Sequence, residues 1–164
     1  FVFNAIFIGY AIGSAPIVSF HYGAENWDEV KNLFRKSMII VALSGVIMMV
    51  LAEVLSGPLS SLFVGYDADL CAMTRRGFQL YALSFLMTGF NIFGSAFFTA
   101  LNDGVVSAVI SFLRTMVFQV GAVWILPIFL KLDGIWLSVA AAEALALLVT
   151  AGFLAAKRKV YHYI

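Results

Sequence analysis

Two ionised side chains stand deep inside apolar runs, where nothing in the local sequence solvates them. Arg114 lies within the run from Val105 to Leu130, and Glu143 within the run from Ile135 to Ala156. A charge at the centre of a bilayer costs on the order of 2.5 to 3.5 kcal/mol on insertion scales, so each needs a partner or a task. At 1.5 Å per residue, Arg114 is about 13 to 14 Å from one end of its helix. Glu143 is about 13 to 14 Å from the opposite face, which brings the two to nearly the same level of a core about 30 Å thick. Two kinds of chemistry are open: a structural ion pair that holds the two runs together, or a carboxylate that carries a coupling ion while the arginine tunes its affinity.

A third set is periodic. Gly77, Tyr81, Ser84, Thr88, Asn91, Ser95 and Thr99 recur at steps of four and three, which puts them on one helical face. A polar stripe of this length must face other helices or a water-filled cavity. Packing by small hydroxyl residues, worth roughly 0.6 kcal/mol per hydrogen bond, is one reading. Asn91 favours the other, because a midmembrane amide needs several partners. On that reading Tyr81, Ser84, Thr88, Asn91 and Ser95 are the candidate substrate contacts. Gly9 and Gly13, four apart, and Pro16 mark a helix that packs closely and kinks, with another helix expected against the glycine strip.

Other chemistries find no support. There is no Walker motif, glycine-rich phosphate loop, Ser/His/Asp constellation or HExxH spacing. Cys71 is the single cysteine, so no disulfide within the chain and no thiol metal motif can form. Neither enzymatic activity nor a metal, cofactor or nucleic-acid partner is expected. His21 and Tyr22 read as ordinary interfacial rings and Glu53 as an acid near a helix end.

The elements that position these residues follow from composition. Hydrophobic residues make up 63% of the chain, charged residues 12%, and mean hydropathy is +1.00, which is the composition of a membrane protein. Apolar runs long enough to span occur at about residues 1–22, 37–55, 73–101, 105–130 and 135–156. Between the first two, about residues 26–36, charges alternate with Trp27, Val30, Leu33 and Phe34 at helical spacing, the pattern of an amphipathic interfacial helix with Asn26 as N-cap. Gly57-Pro58 is expected to end the second run, and Asn102-Asp103-Gly104 and Lys131-Leu132-Asp133-Gly134 to turn the chain. Lys31, Arg35, Lys36, Lys157, Arg158 and Lys159 outweigh Arg75, Arg76 and Lys131 on the opposite side, placing the C-terminal tail in the cytoplasm. The chain opens inside an apolar helix and reads as part of a longer polypeptide.

Several stretches resemble the second half of a multidrug and toxic compound extrusion (MATE) transporter: Ile12-Gly13-Ser14-Ala15-Pro16-Ile17-Val18 with Tyr22-Gly23-Ala24-Glu25-Asn26, then Gly57-Pro58-Leu59 through Leu62-Phe63, then Ala100 to Gly104 leading to Ser111-Phe112-Leu113-Arg114. The resemblance covers all 164 residues. It implies an all-α polytopic membrane protein whose five spans correspond to helices eight to twelve of a twelve-helix, two-lobe transporter. It also implies a secondary antiporter in the plasma (inner) membrane that exports amphipathic, cationic organic compounds in exchange for sodium ions or protons by alternating access. Its partners would be membrane lipids, the small organic substrate, the coupling ion and the first lobe of the same polypeptide. Some members carry an acid in the helix corresponding to residues 73–101, whereas no Asp or Glu lies between Gly77 and Leu101 here. A lipid-linked saccharide flippase of the wider superfamily is the alternative within transport, against which a single midmembrane arginine argues. A non-transporting membrane scaffold is the alternative outside it.

Overall fold

The computed structural model describes residues 2–163; Phe1, where the first expected span starts, lies outside them. The first helix, α1 (Val2–Gly23), passes through Pro16 without a break and buries Phe7, Ala11 and Val18. Its glycine strip behaves otherwise than expected. A Cβ on Gly9 or Gly13 would have nothing within 4 Å, and both residues lie with Pro16 on the exposed side of the helix. Helices pack on the stripe where side chains interlock, and here that stripe is Phe7, Ala11 and Val18 rather than the glycines.

The second helix, α2 (Trp27–Val64), is continuous, so the amphipathic segment and the second span form one rod. Asn26 caps it, its side chain accepting from the Glu29 amide at 3.3 Å. Gly57-Pro58 does not end it. Pro58 withholds an amide from the Val54 carbonyl, which a membrane helix tolerates where neighbouring groups satisfy the backbone; in the turn before it, Ser56 Oγ donates to the Glu53 carbonyl at 2.7 Å.

The third expected span is two helices. The first of them, α3 (Ala68–Ala82), starts at an Asp67 cap, and α4 (Phe85–Ala100) continues after a bend of 45°. No glycine or proline marks the break. The Ser84 amide tightens onto the Tyr81 carbonyl at 2.9 Å, and Thr88 Oγ1 donates back to the Ser84 carbonyl at 2.9 Å. Such back-bonding by Ser and Thr bends helices.

The remaining chain, α5 (Gly104–Phe112), a π-helical turn at Leu113–Phe118 and α6 (Gln119–Tyr161), is helical almost throughout, but it is no single rod. Lys131 adopts φ 50° and ψ −126°. Beyond it Gly134 lies so close to the preceding strand of helix that an added Cβ would sit 2.5 Å from the Leu126 carbonyl oxygen. The chain doubles back at Lys131, and each arm of the helical stretch from Gly104 to Tyr161 exceeds the roughly 20 residues that a hydrocarbon core requires. By length and composition, three helices can cross a membrane, four with the bent pair taken as one span; the reversal makes two crossings of the longest.

Tyr22, Trp27, Tyr161 and His162 cluster at one end of the bundle, and Asp103 joins them. Asp103 caps α5 through the Val106 amide at 3.2 Å, accepts from Tyr161 Oη at 2.7 Å and pairs with Lys157 Nζ at 3.4 Å. Burial pushes its carboxyl up, but those hydrogen bonds and the Lys157 charge outweigh it and hold the group below the usual carboxylate range. Arg76 and Asp133 pair at the opposite end. Asp103→Ala should destabilise the protein by about 1 kcal/mol through the lost cap, and trypsin should then cut Lys157 to Lys159 faster than in the wild type. Asp103→Asn, which keeps an acceptor for the Val106 amide, should fall between the two in the same digestion.

Candidate functional site

The bend and the reversal together bring four polar side chains to one point inside the bundle. Arg114, in the π-helical turn, donates from Nε at 2.9 Å and from Nη2 at 2.6 Å to Glu143 Oε1. Asn91, on α4, donates from Nδ2 at 2.7 Å to Glu143 Oε2 and at 2.9 Å to the Glu143 carbonyl. Its own Oδ1 accepts from Thr150 Oγ1 at 3.0 Å, two turns beyond Glu143 on the same face of α6. Asn91 and Thr150 are fully enclosed and Glu143 is 5% exposed. Every oxygen of the carboxylate is therefore occupied, and the guanidinium neutralises it in a setting of low dielectric, where an isolated charge would be costly.

Arg114 places this cluster beside open space. Asn4, Tyr81, Arg114, Thr115, Gln119, Val139 and Glu143 line a cavity of about 360 Å³. Ser95, Ser111 and Arg114 are the polar groups of a second, about 240 Å³, otherwise walled by α1 and α4. Asn4 Oδ1 is buried with no hydrogen-bond partner, an acceptor left open in the wall of the first cavity. One guanidinium is thus shared by two chambers, and its side chain keeps 22% of its surface exposed.

The polar stripe divides accordingly. Tyr81 and Ser95 open onto the two cavities. Ser84, Thr88 and Asn91 are buried at 1%, 2% and 0% exposure, where a continuous cavity-lining face had been expected. The bend at Leu83 and Ser84 breaks that face, and Thr88 is turned to its own backbone. Gly77 lies under the Trp136 ring. Ser95 Oγ also bonds Ser107 Oγ and Ser111 Oγ, both at 2.9 Å, and Thr99 Oγ1 donates to Ser107 Oγ at 2.8 Å, so the far end of the stripe ties α4 to α5. Asn4, Gln119 and Thr150 are the residues that sequence reasoning passed over. Each is a polar side chain in an apolar run, and Thr150 lies seven residues from Glu143 and hence on its face.

The MatE family model matches residues 1–125. The chain belongs to the MatE family. Its fold is that of a MATE transporter: the crystal structure of Vibrio cholerae VcmN in the bent form superposes with a TM-score of 0.79 at 17% sequence identity, over 92% of this chain and 35% of VcmN. The chain thus spans about a third of that transporter's length. No curated protein matches it. As a MatE family member it is a multi-pass, all-helical membrane protein of the transporter class, and the four-residue cluster lies in its interior.

Proposed function

We propose that this chain supplies part of one lobe of a secondary active antiporter that exports amphipathic, cationic organic compounds in exchange for protons or sodium ions. The observation that carries the reading is the Glu143 carboxylate, buried and held by Arg114 and Asn91 at the edge of a cavity. An ionisable side chain inside a membrane bundle is a functional group by default, and this one has a cavity from which a coupling ion can arrive. Taking up a proton removes the charge that binds Arg114, so the guanidinium is freed into the chamber it borders. Losing the proton restores the pair. Alternation between those two arrangements is the kind of bistable element that alternating access needs. The antiport direction and the cationic substrate class rest on the family.

Substrate sites in such transporters lie between repeats, which gives the exposed face of α1 an occupant: the other lobe, seated against Gly9, Ile12, Gly13 and Pro16. The basic segments around Lys31 to Lys36 and Lys157 to Lys159 would then face the cytoplasm of a plasma (inner) membrane. Labelling tests the reading. On a Cys71→Ser background of the complete transporter, Tyr81→Cys and Ser95→Cys should react with a membrane-impermeant thiol reagent and be shielded by a transported fluorescent cation, while Phe93→Cys stays inert. Labelling of Tyr81→Cys and Ser95→Cys that is indifferent to the cation would remove the cavity from the pathway.

A further inference from the structure

The basic end of α2 carries a groove that the transport reading does not use. Lys31, Phe34, Arg35, Met38, Ile39 and Tyr163 line a cavity of about 470 Å³ at the side of the bundle. The five α2 residues fall at i, i+3, i+4, i+7 and i+8 and so share one face. Along that face charge gives way to hydrocarbon. Lys31 and Arg35 lie at the top, and beyond Lys36 the helix has no ionisable residue until Glu53, so the boundary between water and lipid falls at this groove.

Its back wall is fixed. His162 takes a left-handed conformation, φ 53° and ψ 32°, which turns the tail back on the bundle. Tyr163 then donates from Oη to the Leu154 carbonyl at 2.6 Å and is 1% exposed. The Phe34 ring packs, tilted, with its centroid 5.0 Å from those of Tyr163 and Phe97, so the aromatic floor belongs to the core of the bundle. The front remains open, with Ile39 52% exposed. Among the described residues, neither Lys31 nor Arg35 takes part in an ion pair.

From this juxtaposition we infer a binding site for one anionic phospholipid, its phosphate on Lys31 and Arg35 and an acyl chain along Phe34, Met38 and Ile39, with Tyr163 as the wall. Two cations at the rim exclude an organic cation and match a phosphodiester, and the apolar groove beneath them matches a chain rather than a free anion. Basic pockets between helices at a cytoplasmic face recognise anionic headgroups in this way. The assignment is independent of the transport reading and makes the buried tail residue Tyr163 the support behind the groove.

Native mass spectrometry of the complete protein in detergent tests it, with phosphatidylglycerol and phosphatidylcholine of identical acyl chains as probes. The wild type should retain one phosphatidylglycerol with a preference of roughly tenfold over phosphatidylcholine. The Lys31→Gln/Arg35→Gln pair should abolish the preference, and Met38→Trp, which fills the groove and leaves the charges, should abolish retention. Arg158→Gln/Lys159→Gln, at the same end but outside the groove and exposed, should leave both unchanged. Excess glycerol phosphate should fail to compete, whereas lysophosphatidylglycerol should displace the lipid. Undiminished preference in the Lys31/Arg35 variant, equal loss in the Arg158/Lys159 variant, or displacement by glycerol phosphate would each overturn the site.

Discussion

Arg114→Met should destabilise the complete transporter by about 3 to 5 kcal/mol, the cost of stranding one member of a buried ion pair. The reason is local. With the guanidinium gone, Glu143 Oε1 loses both of its donors while Asn91 still holds Oε2, so the carboxylate stays enclosed with one of its three hydrogen bonds. Glu143→Gln should also lose stability, because Arg114 is then left without a counter-charge. Arg114→Met/Glu143→Gln should recover most of what either single change removes, since replacing both members of a buried pair is often close to neutral. Thermal unfolding in detergent reads all four proteins, and the double variant decides the matter: additive losses would show that the two side chains do not depend on each other. The same series separates structure from coupling. A double variant that folds well yet gives no gradient-driven export of a fluorescent cation assigns the carboxylate to ion coupling, whereas full export would assign the pair to packing alone.

Gly94→Val should be strongly damaging although it touches no charge. Gly94 is buried on α4 against Thr150, and an added Cβ would overlap the Thr150 methyl carbon Cγ2. Overpacking a tight contact costs about 1 to 3 kcal/mol, and the displaced residue here is the one whose hydroxyl satisfies Asn91 Oδ1. The substitution should therefore weaken the Glu143 cluster from one helical turn away, lowering the melting temperature and loosening α4 from α6. Combining it with Thr150→Ser, which removes the clashing methyl and keeps the hydroxyl, should return a large part of the loss. A double variant no better than Gly94→Val would show that the clash does not run through Thr150.

What the sequence disclosed and what it hid divide along physical lines. The coincidence in depth of Arg114 and Glu143 was readable because helix rise is fixed and the connection between them, Lys131 to Gly134, is marked by residue type, although the reversal itself falls at Lys131. The helical bundle and its membrane character followed from composition. The bend at Leu83 and Ser84 was hidden, because its cause is a hydroxyl choosing a carbonyl and not a glycine or proline. The π-helical turn that carries Arg114 was hidden for the same kind of reason: an extra residue in one turn leaves no mark in periodicity counted over a long apolar run. Small residues misled in one place. Gly9 and Gly13 signal a surface open to close approach, but not whether a helix of this chain takes it up. Three polar residues, Asn4, Gln119 and Thr150, could have been found by treating every hydrogen-bonding side chain in an apolar run as one that needs a partner.

The reversal at Lys131 also governs biogenesis. Arg114 leaves the ribosome before Glu143 exists, and on its own the first arm is the poorer span by the cost of one unneutralised charge, about 2.5 to 3.5 kcal/mol. The second arm brings the compensating carboxylate at the same depth, with Lys131 at the hinge and Gly134 letting the two backbones close. The energetic unit of membrane entry is therefore the hairpin and not the single helix, and the residues at the heart of the candidate site make its two halves dependent on each other from the moment of synthesis.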